Sequence, residues 1–448
     1  MSDSARWEER YEKGDTPWET GQPSSELQRV AAEVPLHPCR ALELGCGTGA
    51  SAVWLAQQGF DVTALDLSAR AIERARRRAD QAGVNVRFLV GDVLSPPPEL
   101  TGPFDFFFDR GCYHVVRRED VAAYLETLRR LTRPRALGLV LAGNAREPHE
   151  PGPPVVSEEQ LRAELGSLFD LVRLREFRFD QVEKDGTRFL GWSCLVRRRV
   201  LLEVPVASVE DALAAQAGGA DRLELNAALS LGGLTPSLGT LIEVKAAVAL
   251  PVFVMIRPRP GGFAYSRADW PVMQRDADLA LQHGAAGIVF GILTADGRVD
   301  GDRCRSLLRQ VGNGAAVFHR AFDVTPDPFE ALEQLIDLGF RRVLTSGQEE
   351  TAYNGAVLIA ELIRRSAGRI EVLPAGGINR FTVTDIVART GCDQVHASLQ
   401  TKQEDRSVAA RPQVSFGGSV KLPEDHYSTT SPEAVAELRG LLRRSVDA

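Results

Sequence analysis

The sequence has 448 residues, of which 44% are hydrophobic and 25% are charged, and its formal net charge is −7. The length exceeds the roughly 250–300 residues that one hydrophobic core supports, so we expect two globular domains and no long disordered region. The negative charge and the lack of a basic stripe argue against nucleic acid as a partner.

Cysteine usage and hydropathy bear on location. The six cysteines lie far apart and include no C-x-x-C pair, which predicts reduced thiols and a cytoplasmic protein. No apolar run resembles a secretion signal or reaches the roughly 18 residues of a membrane span, so no membrane partner is expected. Two basic runs, 74–78 and 197–199, are interpreted as solvated surface. Association into a homo-oligomer stays open.

Short apolar runs alternate with amphipathic stretches from residue 40 onward, a pattern typical of a parallel α/β sheet. Ser68 as N-cap and Gly83 as C′ residue bound a predicted helix between the second and third strands. Two longer strand-like runs then predict a hairpin that ends a first domain, 1–199. The predicted strands are 41–44, 62–66, 86–90, 104–109, 137–142, 171–180 and 189–197.

A glycine-rich turn follows the first predicted strand. Residues 43–49 have the sequence Glu-Leu-Gly-Cys-Gly-Thr-Gly and precede a helical run. Glycine permits positive φ and close approach of a ligand to the backbone. The spacing differs from the Gly-x-Gly-x-x-Gly motif that holds a dinucleotide pyrophosphate, and Glu43 favours a cationic ligand. The turn therefore predicts a site for a methyl donor that carries an ammonium and a sulfonium group.

Two aspartates follow the next strands. Asp66 ends the second strand, where a carboxylate accepts from ribose hydroxyls, and Asp92 follows the third strand, where it is placed to meet an adenine edge. With the turn, these residues resemble class I S-adenosylmethionine-dependent methyltransferases across 1–199. The resemblance implies a Rossmann-like fold and S-adenosylmethionine as cofactor. The cofactor-binding residues that it implies are Glu43, Gly45, Gly47, Gly49, Asp66, Asp92 and Val93.

Two aromatic segments, 7–11 and 16–21, precede the sheet and resemble the N-terminal segment of the thiopurine and tellurite-resistance methyltransferases. The resemblance implies that they cover the donor and shape a pocket for a small-molecule acceptor. Trp18 is then a candidate cofactor contact and Trp7 a candidate substrate contact. Packing against the core is an equal alternative for both tryptophans.

Polar side chains follow the fourth predicted strand, at the edge where open α/β sheets bind ligands. Asp109 and His114 are candidate catalytic residues there. His114 as a general base would contribute about 10²–10⁴ in rate, and a packed or capping histidine is the alternative. Positioning supplies much of the acceleration of an in-line methyl transfer, so a base matters only for an acceptor that carries a proton. A regulatory module that binds the donor without turnover is the competing hypothesis.

The second half, 200–448, has the length of a (β/α)8 TIM barrel, about 250 residues. In such barrels the functional residues lie at the carboxyl ends of the strands, and polar or glycine residues recur at these ends here. We therefore expect a ligand pocket. The eight predicted strands are 201–204, 222–225, 252–256, 287–290, 316–319, 342–344, 371–374 and 394–396.

The strand ends suggest two kinds of ligand. Arg257 and Arg259 are predicted to grip a carboxylate or phosphate, with Ser346 and the Gly376-Gly377 turn as further substrate-binding candidates. This predicts a small anionic ligand.

Acidic and imidazole groups lie at other strand ends. Glu203, His319 and His396 are candidate metal ligands, while Glu224 and His319 are candidates for acid–base catalysis. Residue types alone do not separate metal binding from proton transfer.

Five stretches of the second half resemble the CutC copper-homeostasis family, and together they span nearly all of it. The resemblance implies a TIM barrel associated with copper. The stretches are 217–225, 232–237, 254–259, 318–323 and 344–347.

The sequence departs from that family where cysteines often follow the first two strand-end glutamates. Val204-Pro205 follows Glu203 here, and Asn226 follows Leu225. Cu(I) favours thiolate and thioether ligands, and the few sulfur residues of this half are not clustered, so tight copper binding is not expected. From its residues alone, we rank three hypotheses for the barrel in this order: an uncharacterised enzyme, a copper-homeostasis factor, and a structural partner of the methyltransferase.

Overall fold

The computed structural model describes residues 3–34, 36–147, 152, 154–182, 186–312, 314–416 and 423–443. The chain divides into two compact units, 1–199 and 200–448. Within the described ranges, every helix is too short or too polar to cross a bilayer.

The first unit is one eight-stranded sheet with helices on its faces. Its strands are β1 Arg40–Leu44, β2 Asp61–Asp66, β3 Val86–Val90, β4 Phe104–Arg110, β5 Thr132–Asn144, β6 Val155–Val156, β7 Phe169–Arg178 and β8 Leu190–Arg198. Its helices are α1 Asp3–Lys13, α2 Ser25–Glu33, α3 Ala50–Gln57, α4 Ala69–Ala82, α5 Cys112–Leu131 and α6 Glu158–Gly166.

The strand order is β3-β2-β1-β4-β5-β8-β7, with β6 paired to β5. Strands β1 to β5 are parallel, and the β7–β8 hairpin adds two antiparallel strands at one edge. The strands face helices on both sides, which explains their nearly continuous burial. The predicted Rossmann-like fold and its seven strands are confirmed, and β5 extends further than predicted.

Helix α4 has the predicted boundaries. The Ser68 side chain accepts from the Ala71 N–H, and Gly83 takes the left-handed conformation with φ 67°. Helix α5 was not predicted, because its apolar periodicity is weak and Asp120 interrupts it with non-helical dihedrals. The sequence signal of this helix is therefore divided between two shorter segments.

The interpretation of the two basic runs as solvated surface is wrong in part. Arg74 and Arg78 of α4 donate to backbone carbonyls of other segments. Arg198 is buried and donates to the carbonyls of Arg129 and Thr132. Guanidinium groups satisfy several carbonyls at once, so these arginines join elements of the fold.

The second unit is a barrel of eight parallel strands. They are β9 Leu201–Val206, β10 Arg222–Leu225, β11 Val252–Met255, β12 Gly287–Phe290, β13 Ala315–Phe318, β14 Arg342–Thr345, β15 Glu371–Pro374 and β16 Gln394–His396. The helices between them are α7 Val209–Ala217, α8 Leu238–Ala247, α9 Asp269–Gln282, α10 Gly301–Val311, α11 Pro328–Leu338, α12 Ala356–Ser366 and α13 Val383–Thr390. Two further strands and a helix follow: β17 Gln400–Glu404, β18 His426–Thr430 and α14 Pro432–Arg443.

Consecutive strands from β9 to β15 are neighbours, and β16 pairs with β9. A parallel bridge between Ala375 and His396 joins the two ends of the sheet. All eight predicted strands form, and the predicted TIM barrel is confirmed. The hairpin of β17 and β18 was not predicted, because its residues are mostly polar, β17 is exposed throughout, and neither strand has the apolar alternation of a half-buried strand.

A layer of charged side chains crosses the barrel interior near the start of the strands. Glu203 bonds to the Arg222 guanidinium, and the Gln394 amide oxygen accepts from both Arg222 and Arg342. Arg342 also pairs with Glu371 at 2.6 Å. Buried charges are tolerated only when paired, so this network fixes the floor beneath the strand ends.

Candidate functional site

The glycine turn after β1 forms a cradle with no room for side chains. Gly45, Gly47 and Gly49 all have positive φ. A Cβ at Gly47 would lie 2.2 Å from a carboxylate oxygen of Glu19, and one at Gly45 would lie 2.8 Å from Cβ of Cys112. Glycine is therefore required both for the dihedrals and for the space.

Two carboxylates flank this cradle. Asp66 accepts from the Gly47 N–H at 2.7 Å and from the Ser68 N–H at 2.9 Å. Burial raises the pKa of Asp66 to about 6, against the lowering effect of these two bonds. Glu43 is buried, and its Oε2 has no hydrogen-bond partner among the described residues. Burial holds the pKa of Glu43 well above its usual range.

An N-terminal arm, defined as residues 3–21, lies against the cradle. Glu19 accepts from the Thr48 N–H at 3.0 Å, and the Thr48 hydroxyl also donates to it. Tyr11 donates to Glu19 at 3.2 Å and accepts from the Trp18 indole at 3.3 Å. A third carboxylate thus lies beside the glycine turn, and sequence reasoning missed it.

Trp7 and Trp18 pack against each other in the arm. Their ring centroids are 5.3 Å apart in an edge-to-face arrangement, and the Arg10 guanidinium lies 4.2 Å from the Trp18 ring. Both rings are half-buried. The structure therefore gives each tryptophan a packing role within the arm, and their ligand contacts remain a prediction.

The arm is attached to α4 by arginines. Arg78 donates to the carbonyls of Gly21 at 2.7 Å and Thr48 at 3.0 Å, and Arg74 donates to the Tyr11 carbonyl at 2.8 Å. The Glu8 carboxylate bonds to the first backbone N–H of α4, at Ala69. Arg78 therefore connects the arm directly to the glycine turn.

The loop after β3 carries the two residues predicted to meet adenine. Asp92 accepts from the Leu94 N–H at 2.8 Å, and the Val93 side chain is buried. Asp92 is half-buried, and its carboxylate can accept further hydrogen bonds.

Asp109 is fully buried below the strand edge. It accepts from the Tyr124 hydroxyl at 2.8 Å and from the Tyr113 N–H at about 3 Å. Burial raises the pKa of Asp109 to about 7. These contacts describe an anchor for the start of α5, and a catalytic role for Asp109 remains a prediction.

His114 is buried and neutral, since burial lowers its pKa to about 3. Its Nδ1 accepts from the Gly143 N–H at 2.9 Å, so the proton of the neutral ring lies on Nε2. In this tautomer Nε2 donates. The predicted general base would require the other tautomer and the loss of the bond to Gly143.

The barrel encloses a cavity of about 970 Å³ at the carboxyl ends of its strands. The cavity is lined by most of the predicted residues of this half and by β18. Those predicted residues are Glu224, Arg257, His319, Gly376, Gly377 and His396.

Glu203, Glu224 and His396 form a cluster whose ligand atoms lie within 4.8 Å of one another, and Glu224 and His396 of this cluster line the cavity. Parallel register places Glu203 between Arg222 on β10 and His396 on β16. His396 Nδ1 lies 2.8 Å from Glu203 Oε1. Sequence reasoning named Glu203 and His396 as candidate ligands of one metal and Glu224 as a candidate catalytic residue, and the structure brings the three side chains together.

The three groups influence one another's charge. Burial opposes ionisation of Glu203, but Arg222 and His396 outweigh it and hold the pKa of Glu203 well below its usual value. Burial raises the pKa of Glu224, whose Oε1 has no partner among the described side chains and backbone. Burial alone lowers the pKa of His396, but Glu224 and Glu203 outweigh it and raise that pKa.

His319 follows β13 and is buried, with its ring 5.0 Å from that of Phe263. Nδ1 accepts from the Ala321 N–H at 3.2 Å, while Nε2 has no partner in the described chain. Burial lowers the pKa of His319 to about 3, so the ring is neutral. The cluster of close ligand atoms contains Glu203, Glu224 and His396 but not His319, and a metal-binding role for any of these residues remains a prediction.

The predicted anion-binding arginines are largely occupied. Arg257 donates to the carbonyls of Leu231, Gly233 and Gly261 at 2.9–3.1 Å, holding two loops at the cavity rim. Arg259 does not line the cavity. It pairs with Asp269 and donates to three nearby carbonyls.

Another arginine, Arg320, is one of the polar strand-end residues on which the pocket prediction rests, but it was given no ligand-binding role; it faces the cavity. Its Nε pairs with Asp323 at 2.8 Å and its Nη2 donates to the Ser346 hydroxyl at 2.6 Å. Ser346 is fully buried and does not line the cavity, so it positions Arg320. The available signal was the position of Arg320 directly after a strand-end histidine.

Comparison with known proteins divides the chain at the same place. Residues 2–196 match the family model of thiopurine S-methyltransferase, and residues 200–401 match that of the CutC family. A CutC family protein of Treponema denticola is 49% identical over 51% of this chain and 93% of its own length.

The chain belongs to the CutC family through its second half. The human copper homeostasis protein cutC homolog is 44% identical over 54% of this chain and 89% of its own length. Among solved structures, 1,6-didemethyltoxoflavin-N1-methyltransferase of Burkholderia thailandensis, with bound S-adenosylhomocysteine, is 22% identical, with a TM-score of 0.35 over 44% of this chain and 86% of its own. The chain is thus a fusion of a thiopurine-methyltransferase-like domain and a CutC domain.

The donor set of this CutC barrel does not suit Cu(I). Met255 supplies the only sulfur among the described residues that line the cavity. Cys304 and Cys392 are buried in the hydrophobic core away from it. Oxygen and imidazole ligands suit harder ions, and Glu203 is already bonded to Arg222 and His396.

Proposed function

We propose that the first half transfers the methyl group of S-adenosylmethionine to a small-molecule acceptor. The unpartnered, buried Oε2 of Glu43 beside the glycine cradle carries this proposal. A buried carboxylate without a partner is costly, and a cationic ligand removes that cost. A methyl donor with an ammonium and a sulfonium group has the required charge.

The residues of the cradle fit the donor in named roles. S-adenosylmethionine supplies a methyl group activated by its sulfonium. Glu43 attracts the ammonium, Gly47 leaves the backbone accessible, and Asp66 accepts from the ribose hydroxyls with lone pairs that its two N–H bonds leave free. Asp92 and Val93 meet the adenine.

The residues that follow β4 position the methyl acceptor. His114 offers Nε2–H to an electronegative atom of the acceptor, while Asp109 anchors α5 and keeps this edge in place. Positioning of the acceptor, together with exclusion of water by the arm, then accelerates methyl transfer without a protein base.

Turnover distinguishes this proposal from a regulatory donor-binding module. The full chain is incubated with S-adenosylmethionine and the small-molecule fraction of a cell extract, and S-adenosylhomocysteine is measured by mass spectrometry. We expect product formation that Glu43→Gln and Asp66→Asn abolish and that Arg77→Ala, an exposed site on α4, preserves. Donor binding without any product would favour the regulatory module.

For the barrel we propose a proton-transfer reaction on a small anionic molecule. The observation that favours it is the unpartnered Oε1 of Glu224 in a cavity shared with His396. A carboxylate with a raised pKa and a histidine held by a second carboxylate form a pair suited to removing and returning a proton. The proposed proton transfer uses no copper, although the names of the relatives associate them with copper homeostasis.

Hydrogen exchange tests the barrel proposal. A panel of small 2-oxo acids and sugar phosphates is incubated with the full chain in D₂O, and loss of C–H signal is followed by proton NMR. We expect exchange with at least one compound, abolished in Glu224→Gln and retained in Arg305→Ala, a surface control on α10. Absence of exchange across the panel would contradict the proposal.

A further inference from the structure

One corner of the barrel cavity collects hydrogen-bond donors. Arg320 lines the cavity with its side chain 42% exposed, and Asp323 and Ser346 fix its Nε and Nη2. None of the hydrogen bonds of the described residues uses its Nη1. The guanidinium is therefore oriented in advance and retains a donor for a ligand.

Asp323 is itself held firmly. It accepts from the Ser346 N–H at 3.0 Å, the Ser346 hydroxyl at 2.9 Å and the Gln348 N–H at 3.2 Å. A carboxylate with this many donors keeps one geometry, and through it Arg320 keeps one geometry as well. The loops after β13 and β14 are thus joined around the arginine.

The Gly376-Gly377 turn opens the space in front of this arginine. Both glycines line the cavity and have positive φ, 95° and 68°. A Cβ at Gly376 would lie 3.3 Å from Arg320 Nη1. Glycine therefore leaves free the volume that a ligand group would take beside the guanidinium.

His319 adds a second donor. Because its Nδ1 accepts from the Ala321 N–H, its Nε2 carries the proton. Nε2 is buried and without a partner among the described residues, and the side chain lines the same cavity. An unsatisfied buried N–H costs free energy until an acceptor arrives.

We propose that Arg320, His319 and the Gly376-Gly377 turn form an anion subsite that holds the carboxylate or phosphate group of the barrel's ligand. The subsite deepens the proposed proton-transfer function and rests on it for turnover, but its anion binding stands alone. An anionic group held here shares the cavity with Glu224. The ligand would then have a charged end at the subsite and a reacting end at Glu224.

The subsite keeps the glycine turn predicted from sequence but takes Arg320 in place of Arg257 and Arg259. Arg257 donates from both Nη atoms to loop carbonyls, although its buried Nε has no partner among the described residues, and Arg259 lies outside the cavity lining. Arg320 differs because carboxylate and hydroxyl partners fix it from one side only.

The test is ligand-observed NMR on the full chain, with inorganic phosphate and acetate titrated separately as the probes. We expect binding of at least one anion, weakened about tenfold or more in Arg320→Ala, since a charge-assisted hydrogen bond is lost. Arg305→Ala removes the same charge from an exposed helix face and is expected to bind like wild type. Binding of phosphate alone would indicate a phosphate ligand, and binding of acetate alone would indicate a carboxylate ligand.

Two conservative variants separate ligand contact from loop disruption. Arg320→Lys keeps the charge and should retain part of the binding, while His319→Phe keeps an aromatic ring beside Phe263 and should weaken binding several-fold. Equal affinities in Arg320→Ala and Arg305→Ala, or no binding by wild type, would overturn the subsite. Hydrogen exchange that is lost in Glu224→Gln would still support the proton-transfer function in that case. Failure of the subsite and failure of the proton-transfer function are therefore distinguishable.

Discussion

Three carboxylates, Glu19, Glu43 and Asp66, surround the glycine turn of the first half. The charge of Glu19 opposes the ionisation of Glu43 and Asp66, in addition to the larger effect of burial on those two groups. Such a cluster stores electrostatic free energy that a cationic ligand releases. We therefore expect charge, rather than a large apolar contact, to favour a sulfonium donor at this site.

The pKa of Asp66 predicts a pH dependence of donor binding. Because Asp66 is proposed to accept from the donor's ribose hydroxyls as a charged carboxylate, its contribution to affinity should be constant above about pH 7 and fall by up to about tenfold per pH unit below pH 6. The same raised pKa makes the unliganded protein less stable as pH rises from about 4 to 6. Calorimetric titration from pH 5 to 8 measures the affinity, and a flat profile in wild type would contradict the assignment.

The buried pair of Glu203 and Arg222 predicts a large effect on stability. Arg222→Met leaves a buried carboxylate without its main partner and should lower the free energy of unfolding by about 3–5 kcal/mol. Arg222→Met combined with Glu203→Gln should recover part of that loss. Urea unfolding of the full chain measures both, and a loss below about 1 kcal/mol in the single variant would show that the network is dispensable.

At the scale of elements, attachment of the N-terminal arm to α4 decides how the donor site is covered. Arg78→Ala removes the bonds to the carbonyls of Gly21 and Thr48 and should weaken donor binding about tenfold. Arg77→Ala on the same helix, whose side chain pairs with Glu73 at the surface, should leave affinity unchanged. Equal affinities in the two variants would remove the arm from the donor site.

Close approach of β12 to β13 requires glycine at the start of β12. A Cβ at Gly287 would lie 2.0 Å from the Ala315 carbonyl oxygen, so Gly287→Ala should destabilise the barrel by about 1–3 kcal/mol. Gly440→Ala within α14 meets no atom within 4 Å and should stabilise by about 0.5–1 kcal/mol. Thermal unfolding measures both variants, and effects of the same sign would contradict this packing account.

The elements differed in how well their sequences predicted them. The barrel strands were predictable because buried parallel strands are short apolar runs between amphipathic helices. The β17–β18 hairpin and α5 were not, since neither has a strong apolar period. Candidate site residues at strand ends could be named by position. Glu19, Arg78 and Arg320 were given no site role, because their contacts depend on which side chains and backbone groups they meet in the folded chain.

At the scale of the whole molecule, one chain combines a thiopurine-methyltransferase-like half with a CutC half. Each half has its own core and its own polar site. The first half places carboxylates around its glycine turn, and the barrel places Arg320 and His319 in the lining of its cavity. We therefore propose that the two sites take ligands of opposite charge.

The proposed methyl-donor site is tested by calorimetric titration of the full chain with S-adenosylmethionine and with S-adenosylhomocysteine. We expect one equivalent of donor to bind, with affinity lost in Glu43→Gln and Asp66→Asn and kept in Arg77→Ala. We also expect weaker binding of the product, which lacks the sulfonium charge. Absence of donor binding, or affinities that the Glu43 and Asp66 variants leave unchanged, would contradict the proposed donor site.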